Sequence, residues 1–194
     1  MKFNAIACIN YNNAIGWENS NDLIFFIQGE LEYFRKTTIK SYDNKMNIII
    51  MGRKTWDSFK YKKPLPGRYN CVISSDADKL NEQYKDEKLF KSFPNIECFM
   101  NFSKQNEDCF NDVFVIGGKT IYEQFLKTDL IDRIYLTEIE TMNSLGDVFF
   151  PINYVKNFNM TASTSYKDIT VLNKLDKSIL NLDYSLRIYD KIIK

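Results

Sequence analysis

Two glycine-bearing turns hold the residues of this chain whose types and spacing could do chemistry. Gly117-Gly118-Lys119-Thr120 follows Val113-Phe114-Val115-Ile116, a continuous apolar run of the kind buried on both faces of a sheet. It precedes Ile121, Tyr122, Phe125 and Leu126, which recur at helical spacing. Paired glycines where a strand turns into a helix let the backbone approach a ligand and leave N–H groups facing an anion, which suggests a nucleotide phosphate. A tight packing turn would use the same residues. The Gly118-Lys119-Thr120 tail does not complete a P-loop, because the upstream glycine that motif needs falls at Val113, inside the strand. The second turn, Gly52-Arg53-Lys54-Thr55, follows the apolar run Asn47–Met51 and adds two cations and a hydroxyl, a composition suited to phosphate at a helix start. A solvated basic turn with Trp56 in the core is the plain alternative.

Glu30 and Arg68 are the other candidates. Glu30 sits near the start of a helix expected from Gln28 to Thr38, at the edge of the apolar face made by Leu31 and Phe34. A first-turn carboxylate there also complements the helix dipole. Pro64-Leu65-Pro66-Gly67 is a rigid turn that presents Arg68 just before a strand, Tyr69–Ile73, that ends in Ser74-Ser75.

The elements that must position these groups alternate between strand and helix early and pair as strands late. Phe3–Ile9 reads as a central strand, Ala14–Asp22 as a loop in which Gly16 is a candidate for an unusual backbone shape, and Asp76–Lys91 as a charged surface excursion. Asn95–Met100 reads as a short strand, Leu130–Glu140 as another, and Asp147–Pro151 as a chain reversal pinned by aromatics. Met160–Tyr166 and Asn181–Asp190 alternate apolar and polar residues as an antiparallel hairpin would, with Lys167–Ser178 a loop between them. This order predicts an α/β fold, mostly parallel with an antiparallel edge, and 194 residues suit a single domain, 1–194.

Composition excludes several classes of function. Histidine is absent, which removes His-based acid–base work, Ser–His–Asp and Cys–His arrangements and most zinc sites, and no metal is expected. Cys8, Cys71, Cys98 and Cys109 form no C-x-x-C pair, and Cys8 and Cys71 lie in apolar runs where buried reduced thiols are expected. A net charge of +1 offers no broad basic field for nucleic acid or an anionic membrane. The first apolar run is short for a signal and no later one approaches transmembrane length, so a cytoplasmic protein is expected.

Taken in order, Ile15-Gly16, Asp22-Leu23, Glu30 with Phe34 and Thr38, Met51-Gly-Arg-Lys-Thr-Trp56, Pro64-Leu-Pro-Gly-Arg68, Ile73-Ser-Ser75, Val115-Ile-Gly-Gly118 with Tyr122-Glu-Gln-Phe125, Tyr135-Leu-Thr137 and Gly146-Asp147-x-x-Phe-Pro151 resemble dihydrofolate reductase. Each motif alone is weak; the ordered set, running from near residue 5 to the C-terminal hairpin, is specific. The resemblance implies a central eight-stranded, mostly parallel sheet with an antiparallel C-terminal strand and flanking helices. It also implies an NADPH-dependent enzyme that reduces 7,8-dihydrofolate to tetrahydrofolate, supports one-carbon metabolism and thymidylate synthesis, binds antifolate inhibitors and works as a monomer.

The same resemblance assigns roles by position. Glu30 would hold the pteridine amide edge and promote protonation at N5 through water, Thr137 would support it, and Phe25 would cover the nicotinamide edge. Substrate contacts would come from Ile9, Leu31, Phe34, Phe59, Leu65, Ile116 and Tyr122, with Arg68 forking onto the substrate's α-carboxylate. Cofactor contacts would come from Ala7, Ile15, Gly16, Gly52, Arg53, Lys54, Thr55, Ser74, Ser75, Gly117, Gly118, Lys119 and Thr120, with a cis peptide joining Gly117 to Gly118. Arg53, Lys54 and Ser74 would favour the 2′-phosphate of NADPH, Ser75 standing where some relatives have a basic residue. The chain departs from the family at Leu23-Ile24-Phe25, where Leu-Pro-Trp is usual, so the indole N–H is lost; Lys119 stands where a third small residue is frequent. A reductase of another pterin or of a pyrimidine is the nearest competing reading, disfavoured by Glu30 with Arg68. A catalytically weak folate- or NADPH-binding protein is another, kept open by the missing Pro-Trp pair.

Overall fold

Runs of β-branched and aromatic residues without polar alternation make the middle of one large sheet. The computed structural model describes residues 1–19, 23–42, 44–141 and 145–192; Asp22 of the Asp22-Leu23 motif lies outside them. The chain starts with β1 (Phe3–Asn10), β2 (Ala14–Gly16), β3 (Phe25–Phe26), α1 (Gln28–Ile39), β4 (Met46–Gly52), α2 (Arg53–Asp57) and β5 (Arg68–Ile73). It continues through α3 (Ala77–Gln83), β6 (Phe90–Phe93), α4 (Ile96–Gln105), β7 (Phe110–Gly117), α5 (Lys119–Leu126) and β8 (Ile131–Glu140). Then come β9 (Val148–Phe149), a 3-10 helix at Ile152–Asn157, β10 (Phe158–Asn173) and β11 (Ile179–Lys191).

Eight long strands run β10-β11-β8-β1-β7-β4-β5-β6, and the two-residue β3 extends the sheet beyond β10. From β8 to β6 all neighbours are parallel, while the C-terminal β11 is antiparallel to both β8 and β10. This is the expected central sheet with its antiparallel C-terminal strand. Strand β4 shows why both faces need cover. Ile48, Ile49, Ile50 and Met51 have no exposed surface. Ile48 and Ile50 face a core shared with Phe99, Ile121 and Phe125, whereas Ile49 and Met51 face Trp56, Val72 and Leu80.

The structure corrects several expectations. Asn95–Met100 is not a strand: Asn95 Oδ1 accepts from the Cys98 N–H at 2.8 Å and caps α4, which buries Phe99 and Ser103. The alternation of Ile96, Cys98 and Met100 suggested period two, but the N-cap asparagine was the stronger signal. The charged excursion contains α3 and ends in β6, an edge strand too short to announce itself. Lys167–Ser178 is not all loop: β10 continues to Asn173, where Leu172 and Asn173 pair with Phe26 and Phe25. The Ala14–Asp22 stretch holds β2, which pairs with β9 in a small second sheet, and Gly16 there is an ordinary strand residue. All four cysteines are free; Cys71 is buried, Cys8 partly so, and Cys98 and Cys109 are exposed.

Candidate functional site

The crevice forms where the sheet's strand order turns back on itself. From β1 the chain moves outward through β4, β5 and β6, then returns with β7 between β1 and β4. The C-terminal ends of adjacent parallel strands at such a reversal are where α/β sheets place ligands. The β4–β7 register steps from Ile50↔Val115 to Met51↔Gly117, so Ile116 is an extra residue in β7. That bulge sets Gly117 beside Met51 and brings the two glycine turns together. Gly52 precedes α2 and Gly118 precedes α5, and neither helix has a side-chain cap, so their first N–H groups are available to an anion.

The Gly117–Gly118 peptide is cis, and Gly117 has φ +113°. A Cβ on Gly117 would lie 3.0 Å from Tyr122 Cε2 and 3.3 Å from its Oη, while one on Gly52 would lie 3.1 Å from Ile121 Cγ1. Tyr122 cannot retreat easily, because its hydroxyl donates to the Ile6 carbonyl at 2.7 Å. Backbone without side chains therefore floors a cleft of about 520 Å³. Every expected cofactor-contacting residue lines it except Ala7, which packs in the core, and Gly117, which lies beneath against Tyr122. A dinucleotide would fit such a groove: side-chain-free floor, two helix starts, and Arg53, Lys54, Lys119, Thr55 and Thr120 around the wall.

Trp17, Glu18, Leu23 and Gln124 also line this cleft and were not anticipated. Glu18 forms an ion pair with Lys54 across it, and its backbone N–H donates to Asp147 Oδ1 at 2.7 Å. No local pattern could have shown a pairing between residues so far apart in sequence. Arg53 is held by Asp57 at 2.7 Å, a helical i,i+4 pair. Both pairs are solvent-exposed, so phosphate can compete for these cations at small cost.

Glu30 projects from the first turn of α1 and is buried, as is Thr38 on the same helix, while apolar Leu31 and Phe34 remain half-exposed. Polar groups buried and apolar groups uncovered is the reverse of ordinary helix packing, and it marks the ligand side of α1. Burial pushes the Glu30 carboxyl up to about 7. Its charge helps raise the Cys8 thiol and the Tyr122 and Tyr184 hydroxyls, though burial of each is the larger cause. A void of about 10 Å³ lies against Glu30 between Ile9, Phe25 and Ile139, roughly the room one water needs. Cys8, Ile15 and Leu23 border both this void and the larger cleft, so the two adjoin. Thr137, buried on β8, is the cross-strand partner of Cys8. Phe25 is buried beside Ile24 and Ile27 rather than free over the cleft.

Arg68 lies at the far end of α1. It is buried; its Nη1 donates to Thr38 Oγ1 at 2.9 Å and its Nε to the Pro66 carbonyl at 3.2 Å. Burial, and secondarily the Arg35 cation, pull its guanidinium down to about 10, still protonated at neutral pH. The Phe34 ring stands 5.9 Å from Arg68 Cζ, and Phe59 and Leu65 pack with Phe34 in the same cluster. Glu30, Phe34 and Arg68 thus follow one helix from the inner end of the cleft to its outer end.

The sequence profile of the dihydrofolate reductase family matches residues 2–182. A dihydrofolate reductase of Drosophila melanogaster is 33% identical over 153 residues, 78% of this chain and 80% of that protein. One of Aedes albopictus is 32% identical over 198 residues, covering 100% of this chain and 99% of its own. A bifunctional dihydrofolate reductase-thymidylate synthase of Acanthamoeba polyphaga mimivirus is 31% identical over 92% of this chain, which spans 33% of that longer protein.

Proposed function

The chain belongs to the dihydrofolate reductase family of oxidoreductases, and from that premise we propose that it reduces 7,8-dihydrofolate to 5,6,7,8-tetrahydrofolate with NADPH as reductant. Going from the dihydro to the tetrahydro state saturates one C=N bond, which requires a hydride on carbon and a proton on N5. When bound, the dihydronicotinamide supplies the hydride. The protein's residues orient the pteridine and manage the proton.

Glu30 is the group suited to the proton. A carboxyl held at about 7 is close to half protonated at neutral pH. Ionised, it can accept two parallel hydrogen bonds from an amide N–H and an exocyclic amine; protonated, it can pass its proton through a single water in the void beside it. Thr137 braces this end of the site from β8. Phe34 and Leu31 supply an apolar wall, with Phe59 and Leu65 across from it, and Arg68 receives the tail carboxylate with two N–H groups pointing the same way.

For the cofactor, the Gly52 and Gly117-Gly118 turns suit close approach by a pyrophosphate. Arg53 and Lys54, with Ser74 and Ser75 at the end of β5, suit a 2′-phosphate and so NADPH over NADH. The same reading makes residues 1–194 one reductase domain, acting as a monomer in the cytoplasm, open to antifolates and serving one-carbon metabolism. Among the described residues no helix is long and apolar enough to cross a membrane.

The observation that carries the proposal is Glu30: a buried carboxyl held near neutrality, one small void away from a glycine-floored cleft. Loss of NADPH absorbance on adding dihydrofolate tests it. Tight NADPH binding without turnover would leave a binding protein as the correct reading.

A further inference from the structure

Resting on the reductase reading, we infer that the substrate's anionic tail continues past Arg68 into a second groove, and that the preferred substrate carries several γ-linked glutamates. This groove, of about 610 Å³, has an apolar floor of Phe59, Leu65 and Pro66 and a rim bearing Lys60, Tyr61 and Lys63. It adjoins Arg68 directly, because Pro66 lines it and the Pro66 carbonyl accepts the Arg68 Nε–H at 3.2 Å. Its wall is fixed. The Asn70 side chain accepts from the Leu65 N–H at 2.8 Å and donates to the Leu65 carbonyl at 3.1 Å.

Charge decides what this groove can hold. Between Asp57 and Asp76 the chain carries Lys60, Lys62, Lys63 and Arg68 and no carboxylate. The flanking acids are engaged elsewhere: Asp57 holds Arg53 at 2.7 Å, and on α1 Glu32 holds Lys36 at 2.8 Å. Arg35 adds a further cation close enough to depress the Arg68 guanidinium. Buried Arg68 donates to neutral oxygens of Thr38 and Pro66, so the charge of this end of the molecule is not balanced from within. One α-carboxylate answers Arg68 and leaves the lysines facing the groove. Each added γ-linked glutamate brings one more carboxylate on a flexible chain, and its methylenes can lie on the Phe59–Leu65 floor while the lysine amines reach over it. A neutral or basic occupant would leave the cations uncompensated.

The test is the KM for dihydrofolate bearing one, three and five glutamates. For the natural chain at low salt, KM falls about fivefold or more from one to five glutamates, and the difference collapses at about 0.5 M KCl. The double variant Lys60→Gln with Lys63→Gln loses the dependence on tail length, and its turnover of the monoglutamate reports that it is folded. A KM independent of tail length, or a dependence that survives the double variant or high salt, overturns the inference. Failure of the reductase reading is a separate outcome, since it would show as no turnover of any form, the monoglutamate included.

Discussion

Arg68 Nη1 donates to Thr38 Oγ1 at 2.9 Å, and the same hydroxyl donates to the Phe34 carbonyl at 2.8 Å. The hydroxyl therefore ties a buried guanidinium on β5 to the backbone of α1 and aims it along the helix. Thr38→Val keeps the shape and removes both bonds. It should raise KM for dihydrofolate by about tenfold, with NADPH affinity kept, in the range of a lost hydrogen bond to a charged group. Arg68→Leu should raise it further. Equal loss of affinity for both ligands in either variant would mean that the pair only holds the fold.

Glu30→Gln replaces the proton-handling carboxyl with an isostere that cannot titrate. Turnover at neutral pH should drop by about 100-fold or more while ligand binding stays within about an order of magnitude. In the natural chain the rate should decline as pH rises past about 7, because the protonated carboxyl is the reactive form. The variant should show a flat profile through that range. Turnover unchanged by the substitution would remove Glu30 from the reaction.

Glu30 also links stability to pH, and the sign is opposite to that of a salt-bridged acid. Its carboxyl lies near 4.5 when unfolded and about 7 when folded, so the folded state holds the proton more tightly. Folding is then favoured most below about 4.5, and this contribution is lost as pH rises through 7, at a cost of about 3 kcal/mol. Glu30→Gln should accordingly raise Tm relative to the natural chain at pH 8, with the gap closing toward pH 5. A variant less stable than the natural chain at pH 8 would contradict burial as the cause of the raised carboxyl.

Gly117→Ala tests the floor of the cleft. Its φ of +113° is unfavourable for any L side chain, and the new methyl would press on a Tyr122 ring whose hydroxyl is tied to Ile6. The variant should lose about 1–3 kcal/mol of stability by denaturant titration and bind NADPH at least tenfold more weakly. Gly67→Ala makes the control, since Gly67 also has positive φ, at +75°, but its new Cβ would meet only Ile39 at ordinary contact distance. Equal effects at both positions would make Gly117 a matter of backbone conformation alone.

The central strands and the helix after Gly118 could be read directly from the sequence. Val113–Ile116 and Ile48–Met51 are apolar without alternation because both faces of the sheet are covered, and Ile121, Tyr122, Phe125 and Leu126 repeat at the helical period. Glu30, Arg68 and both glycine turns were marked for the same reason: each is a residue type out of place in its local pattern. Edges and long-range pairings were not legible. The strand β6 and the extension of β10 to Asn173 are defined by partners, Ile73 and Phe25, that no local window contains. The N-cap of α4 was legible in Asn95 and outweighed by a misleading alternation. Only the tertiary structure decided that Glu18 would reach Lys54 and that a lysine-rimmed groove would adjoin Arg68. It also decided that the Glu30 carboxyl would stand near 7. Local patterns record the period and burial of single elements, whereas a pKa, an ion pair or a groove depends on what separate segments of the chain bring to one place.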